Sequence, residues 1–187
     1  MPMHHLIVGG QRSGKSRHAE HLAQRWLMQP ALAGQPREVV VVATAVAWDD
    51  EMRARIARHQ AERPAGMRTV EEPRALTAVL QREAAPHRLL LVDCLTLWLT
   101  NWLMPADGPG DVPAWRAERE ALFAALPQLT GPVVAVSNEV GWGVVPMGRE
   151  VRQFVDELGW LNQGFAARCS DLTLMVAGQP WHRPVVS

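Results

Sequence analysis

One lysine occurs in the chain, Lys15, inside the run Gly9-Gly10-Gln11-Arg12-Ser13-Gly14-Lys15-Ser16. Every other basic position is an arginine, eighteen in all. Against that bias, the surviving lysine marks a place where arginine will not serve. The spacing G-x-x-x-x-G-K-[ST] suits one kind of chemistry. Backbone N–H groups freed by the glycines wrap phosphates, a compact ammonium reaches the β and γ phosphates, and the serine hydroxyl ligates Mg²⁺. A planar guanidinium is too broad for that slot. The segment reads as a nucleoside triphosphate site.

Asp93 closes the apolar run Leu89-Leu90-Leu91-Val92. A carboxylate there can hold the Mg²⁺ that bridges the phosphates, with Ser16 as the other protein ligand. The bland alternative is the N-cap of a following helix, since aspartate is favoured there too; the metal role is preferred, and the two are compatible. Further along, Arg55, His59 and Arg63 recur at i, i+4 and i+8, on one face of an expected helix. Two guanidinium groups flanking an imidazole suit an oligophosphate, and histidine can attack phosphorus to form a phosphoramidate. The bland alternative makes His59 the edge of the apolar face that carries Met52 and Ile56. Ser137-Asn138-Glu139-Val140-Gly141-Trp142-Gly143 brings polar groups out at a strand end, followed by glycines that admit a ligand or simply make a turn. Asn162-Gln163 is a weaker candidate. Trp98, Trp102 and Trp115 read as packing, and the other six histidines show no metal-ligand spacing.

The elements that must position these groups alternate. Strands are predicted at 4–8, 38–44, 67–70, 89–93, 133–138 and 172–176, and helices at 16–28, 49–62, 73–84, 114–126 and 149–167. Such alternation predicts an α/β fold with a mostly parallel sheet and helices on both faces. Ligands in such sheets lie beyond the carboxyl ends of the strands. Loops belong at 29–37 and 105–113, where Gly, Pro and Asp cluster. The segment Cys94–Met104 is the most apolar, too short to span a bilayer, and reads as a buried or subunit-contact helix.

At 187 residues the chain is expected to fold as one domain, residues 1–187. Its formal net charge is zero, so no basic patch points to nucleic acid. Two cysteines, Cys94 and Cys169, read as buried thiols, and no signal peptide is expected, which together point to the cytoplasm.

The collection resembles the bifunctional adenosylcobinamide kinase / adenosylcobinamide-phosphate guanylyltransferase family. The resemblance runs in order through GGQRSGKS, Val42-Ala43-Thr44-Ala45, Asp49-Asp50-Glu51-Met52, Arg55-Ile56-Ala57-Arg58-His59, Arg63-Pro64 and Thr69-Val70-Glu71-Glu72-Pro73. It continues through Val92-Asp93-Cys94-Leu95-Thr96, the stretch from Asn138 to Pro146, and Asn162-Gln163. It implies a single P-loop NTPase-type domain of RecA-like fold. It also implies two reactions: phosphorylation of adenosylcobinamide by ATP or GTP, then transfer of GMP from GTP through a histidine to the cobinamide phosphate. His59 matches the nucleophile and Lys15 the phosphate-binding lysine. The nucleotide contacts map onto Gly9, Gly10, Gln11, Arg12, Ser13, Gly14, Lys15, Ser16, Ala43, Thr44, Ala45, Gln60, Ala61, Glu62, Arg63, Glu71 and Asp93. Mg²⁺, a corrinoid substrate and a homo-oligomer are further implications. Where many members carry a second histidine before the nucleophile, this chain has Arg58; Ala45 replaces a serine, Met67 an aromatic, and Trp160 an arginine. Two rival readings are a small kinase with a different acceptor and a nucleotide-dependent regulatory switch.

Overall fold

In the computed structural model, which describes residues 3–46 and 65–185, seven strands form one sheet. They are β1 (His5–Gly9), β2 (Glu38–Ala43), β3 (Met67–Glu71), β4 (Arg88–Asp93), β5 (Val133–Asn138), β6 (Asp171–Val176) and β7 (Gln179–Pro184). Their order is β3-β2-β4-β5-β1-β6-β7, parallel throughout except for β7 against β6. The helices are α1 (Lys15–Leu27), α2 (Leu76–Glu83), α3 (Leu95–Leu103), α4 (Val112–Ala125) and α5 (Arg149–Ala166). The helix expected at 49–62 lies outside the described residues.

Val39–Val42 and Leu89–Val92 are unbroken apolar runs because both faces of the sheet are covered. Alternate residues serve opposite cores. Ile7, Val39, Val41, Leu89 and Leu91 meet Ala19 and Ala23 of α1. Leu6, Val40, Val42, Leu90 and Val92 meet the other four helices, with Trp98 and Trp115 in edge contact at 4.8 Å between ring centroids. Leu95, Trp98 and Leu99 are fully buried. The apolar α3 is therefore largely buried within the chain, as one of the two readings offered for it expects.

The sequence reading missed β7. Pro180 and Pro184 argue against a strand, yet β7 lies at the sheet edge, where proline is tolerated. Ala177 (φ 50°) and Gly178 (φ 76°) make the tight turn before it. Helix α2 starts at Leu76 rather than Pro73, because the Glu72 carboxylate takes the Arg74 and Ala75 N–H groups, each at 2.8 Å, in a turn before it.

Two histidines tie β1 into the fold as neutral rings. Buried His4 accepts the Val133 N–H at Nδ1 (3.1 Å) and donates from Nε2 to the Leu126 carbonyl (2.8 Å), and burial lowers its pKa. His5 bonds the Thr173 hydroxyl at 2.8 Å. Burial pushes it down from 6.5 to about 4; Asp171 opposes the shift, while His182 and His18 reinforce it. Both folded values lie below the unfolded one, so the unfolded chain binds more protons between them. Stability should then be full above about pH 6.5 and decline as pH falls toward 4. A melting temperature that is flat across that window would contradict the neutral pairing.

Helices α4 and α5 are joined by fully buried Glu157. Arg116 donates to Oε1 at 2.8 Å, while Arg119 and Trp115 donate to Oε2 at 2.8 and 2.9 Å. Glu157→Ala leaves two guanidinium groups and an indole N–H without that acceptor. It should destabilise the protein by about 3 kcal/mol, read as a lowered urea midpoint with an unchanged slope.

Candidate functional site

Between β1 and α1 the chain wraps into a loop that only particular residues tolerate. A Cβ at Gly9 would lie 2.5 Å from the Met175 carbonyl oxygen and 2.7 Å from Ser13 Oγ. Gly14 sits at φ +97°, and Arg12 adopts φ 53°. The β6–β7 turn supports the loop from below, with the Gly178 N–H donating to the Ser13 carbonyl at 3.0 Å. Gly14 precedes α1 without a side-chain cap, so the first N–H groups of that helix are left for an anion.

Lys15 opens α1 and is buried. Its ammonium donates to the Gly10 carbonyl at 2.5 Å and to Ser13 Oγ at 3.5 Å, curled over the loop it belongs to. Burial lowers its pKa, and Cys94 and then Asp93 pull the other way. The β4 end and the phosphate loop therefore sense each other electrostatically. Ser16 is exposed in the first turn of α1.

Register brings other candidates to the same rim. Ala43 pairs with Glu71 on one side and with Asp93 on the other, so three neighbouring strands end on one rung. Adjacent strands lie about 4.8 Å apart, which puts Glu71 and Asp93 about 10 Å from each other across Ala43. Gly9 pairs with Asn138, and the Glu139 N–H donates back to the Gly9 carbonyl at 3.0 Å.

Thr44 is fully buried and locks the rim. Its hydroxyl donates to the Cys94 carbonyl at 2.7 Å and accepts the Cys94 N–H at 3.0 Å. Asn101 of α3 donates to the carbonyls of Thr44 (2.7 Å) and Pro73 (2.9 Å), tying the segments after β2 and β3 together. Ala45 is half-buried beside Thr44. The Cys94 thiol caps α3 by taking the Leu97 N–H at 3.4 Å, and burial pushes it up to about 11. That cap belongs to Cys94, not to Asp93. Thr96 donates no sequence signal of its own, yet its Oγ1 accepts the Asn138 N–H at 2.8 Å, and Asn162 donates to the Asn138 carbonyl at 3.1 Å. Sequence reasoning missed Asn101 and Gly178, and it quoted Thr96 only within the family stretch, without this role. Only the Ala-Gly turn left a trace that could have been found. His59, Gln60, Ala61, Glu62 and Arg63, with Arg55, lie outside the described residues.

Among the described residues, no three His, Cys, Asp or Glu side chains gather as a metal cage. A hard cation at this rim would draw on the Ser16 hydroxyl and Asp93 carboxylate, with phosphate oxygens supplying other ligands. That donor set suits Mg²⁺, which is usually held by one or two carboxylates plus substrate phosphates.

A mostly parallel sheet, a glycine-pinned phosphate loop and a lysine at the start of its helix define a P-loop nucleotide-binding protein of the α/β class. The fold is similar to that of a solved structure from Pyrococcus horikoshii OT3, at a TM-score of 0.51 and 9% identity over 99% of this chain and 87% of that one. A family profile described as "Cobinamide kinase / cobinamide phosphate guanyltransferase" matches residues 5–182. The bifunctional adenosylcobalamin biosynthesis protein CobP of Pseudomonas aeruginosa is 53% identical over 178 residues, 95% of each chain. Its counterpart CobU of Salmonella typhimurium is 40% identical over 92% of this chain and 95% of its own. The chain belongs to the cobinamide kinase / cobinamide phosphate guanyltransferase family.

Proposed function

We propose that this protein phosphorylates adenosylcobinamide and then converts the phosphate to adenosylcobinamide-GDP, within adenosylcobalamin biosynthesis. What carries the reading is the meeting of Glu71, Ala43 and Asp93 on one rung at the sheet rim that also carries the phosphate loop, in a chain that matches the family over residues 5–182. In the kinase step the acceptor hydroxyl attacks the γ-phosphorus of ATP or GTP. The bridge to the β-phosphate breaks and the hydroxyl proton is released. Lys15 and the loop N–H groups neutralise the charge that develops. In the second step an imidazole nitrogen of His59 attacks the α-phosphorus of GTP and pyrophosphate leaves. A phosphate oxygen of the acceptor then attacks the same phosphorus, the P–N bond breaks, and His59 is regenerated. Arg55 or Arg63 is the group assigned to the leaving pyrophosphate. Gly9 to Ser16, Ala43 to Ala45, Gln60 to Arg63, Glu71 and Asp93 form the nucleotide site.

Ser16 and Asp93 would hold Mg²⁺, which when bound screens the phosphate oxygens. Asp93→Asn keeps the shape without the charge. It should move the Mg²⁺ titration of the kinase rate to higher concentration, whereas an unchanged titration would leave Asp93 a purely structural role. The reading includes a homo-oligomer. It also places the protein in the cytoplasm, with Cys94 and Cys169 as free thiols; no helix among the described residues is long and apolar enough to cross a membrane.

Label transfer tests the assignment as a whole. With adenosylcobinamide as acceptor, γ-labelled nucleotide should yield labelled adenosylcobinamide phosphate, and α-labelled GTP should yield labelled adenosylcobinamide-GDP. Label that reaches a corrinoid from the γ position only would reduce the protein to a kinase. Label that reaches no corrinoid would remove the function.

A further inference from the structure

Beside the phosphate loop lies an apolar surface that the nucleotide chemistry does not use. The segment after β5 exposes Trp142 (74%), Val144 (96%), Val145 (73%) and Met147 (96%). Exposed side chains of this size in one run mark a binding surface rather than ordinary solvent-facing scatter. Helix α5 extends the same surface. Asn162 meets the end of β5, while the helix C-terminus leads back to the start of β1, where the Ser170 N–H donates to the His4 carbonyl at 2.9 Å. The twelve residues before Asn162 therefore run about 18 Å past the rim of the sheet. They carry Trp160, about half exposed, on the helix face that also holds Arg149 and Gln153.

The two parts are fastened together and to the site. Arg152 donates to the Pro146 carbonyl at 3.0 Å and the Met147 carbonyl at 2.5 Å, holding the segment on α5. At its other end the Glu139 N–H holds the segment to Gly9 of the phosphate loop. Where α5 faces α4, a pocket of about 270 Å³ opens between Trp160, Gln153, Arg149 and Arg116. Both Glu157 oxygens in its wall are already taken. Arg149 and Gln153 bring donor groups to its lining, and Asp156 a carboxylate.

We infer that this surface seats the corrinoid acceptor, an assignment that rests on the proposed function. The acceptor must deliver one small hydroxyl or phosphate to the loop while its ring rests within reach. A corrinoid ring presents methyl groups and amide arms. Trp142, Val144, Met147 and Trp160 offer apolar cover for the ring edge. The pocket is smaller than the 300–1,000 Å³ or so of a whole-ligand site, and so is suited to one amide arm, with Arg149 donating to its carbonyl.

The test is equilibrium dialysis of the full-length protein with adenosylcobinamide, followed by the ligand's own visible absorbance. Wild type should bind. Trp142→Ala with Trp160→Ala should raise the Kd by about tenfold or more, as loss of a tryptophan anchor ordinarily does. Arg149→Glu should weaken binding through the pocket alone. In both variants the extent of GTP-dependent self-guanylylation reports that the fold and the nucleotide site are intact. Sedimentation velocity reports the assembly state. An unchanged Kd in variants that self-guanylylate normally would overturn the assignment. If the variants also dissociate an oligomer, that same unchanged Kd would give the surface to a second copy of the chain. A wild-type protein that labels with GTP but binds no adenosylcobinamide would overturn both this assignment and the acceptor in the proposed function.

Discussion

Lys15→Ala should lower both the kinase and the guanylyltransferase rate about a hundredfold to a thousandfold, the usual effect of removing one electrostatic donor from a developing anion. The protein should nonetheless fold. Burial already lowers the Lys15 pKa, so the charge is held against desolvation in the free protein and its removal relieves that penalty. The sharper variant is Lys15→Arg. It keeps the charge but replaces a compact ammonium, now within 2.5 Å of the Gly10 carbonyl, with a planar fork that needs more room. Rescue should be poor, with GTP affinity reduced and melting temperature near that of wild type. Rates like wild type in Lys15→Arg would mean that charge alone matters there.

How far the site was legible depended on where its information lies along the chain. The phosphate loop could be read because local backbone requirements write glycine and lysine into consecutive positions, and the structure adds only the reasons, such as the Met175 carbonyl against Gly9. The parallel sheet could be read because buried strands become unbroken runs like Val39–Val42. Glu71 was different. Nothing local distinguishes it, and it entered only through the family resemblance; its position beside Ala43 and Asp93 is a matter of register between strands far apart in sequence. The hydrogen bonds of Asn101 and Thr96 were illegible for a related reason. Their side chains serve backbone groups 57 and 42 residues away, and no spacing rule reaches that far. Strand β7 was lost to its prolines, which exclude a central strand but not an edge. Trp98 and Trp115 were read as packing, and their fully buried edge contact agrees.

His59→Ala should separate the two chemistries. Guanylyl transfer through the enzyme needs a nitrogen nucleophile for the α-phosphorus, whereas phosphorylation of a hydroxyl needs only positioning and charge neutralisation. The variant should therefore lose adenosylcobinamide-GDP formation by about three powers of ten or more, while its kinase turnover stays measurable. Arg58 stands where many family members carry a second histidine, so no neighbouring imidazole can take over. A parallel fall in both activities would mean instead that His59 serves the nucleotide site as a whole.

Intact-mass measurement after incubation with GTP and Mg²⁺ tests most directly for a covalent guanylyl-enzyme on this P-loop scaffold. The wild-type protein should gain one GMP, stable to alkali and released by acid as a phosphoramidate requires, and His59→Ala should gain none. A wild-type protein that turns over GTP without any adduct, or a full adduct on His59→Ala, would contradict the account.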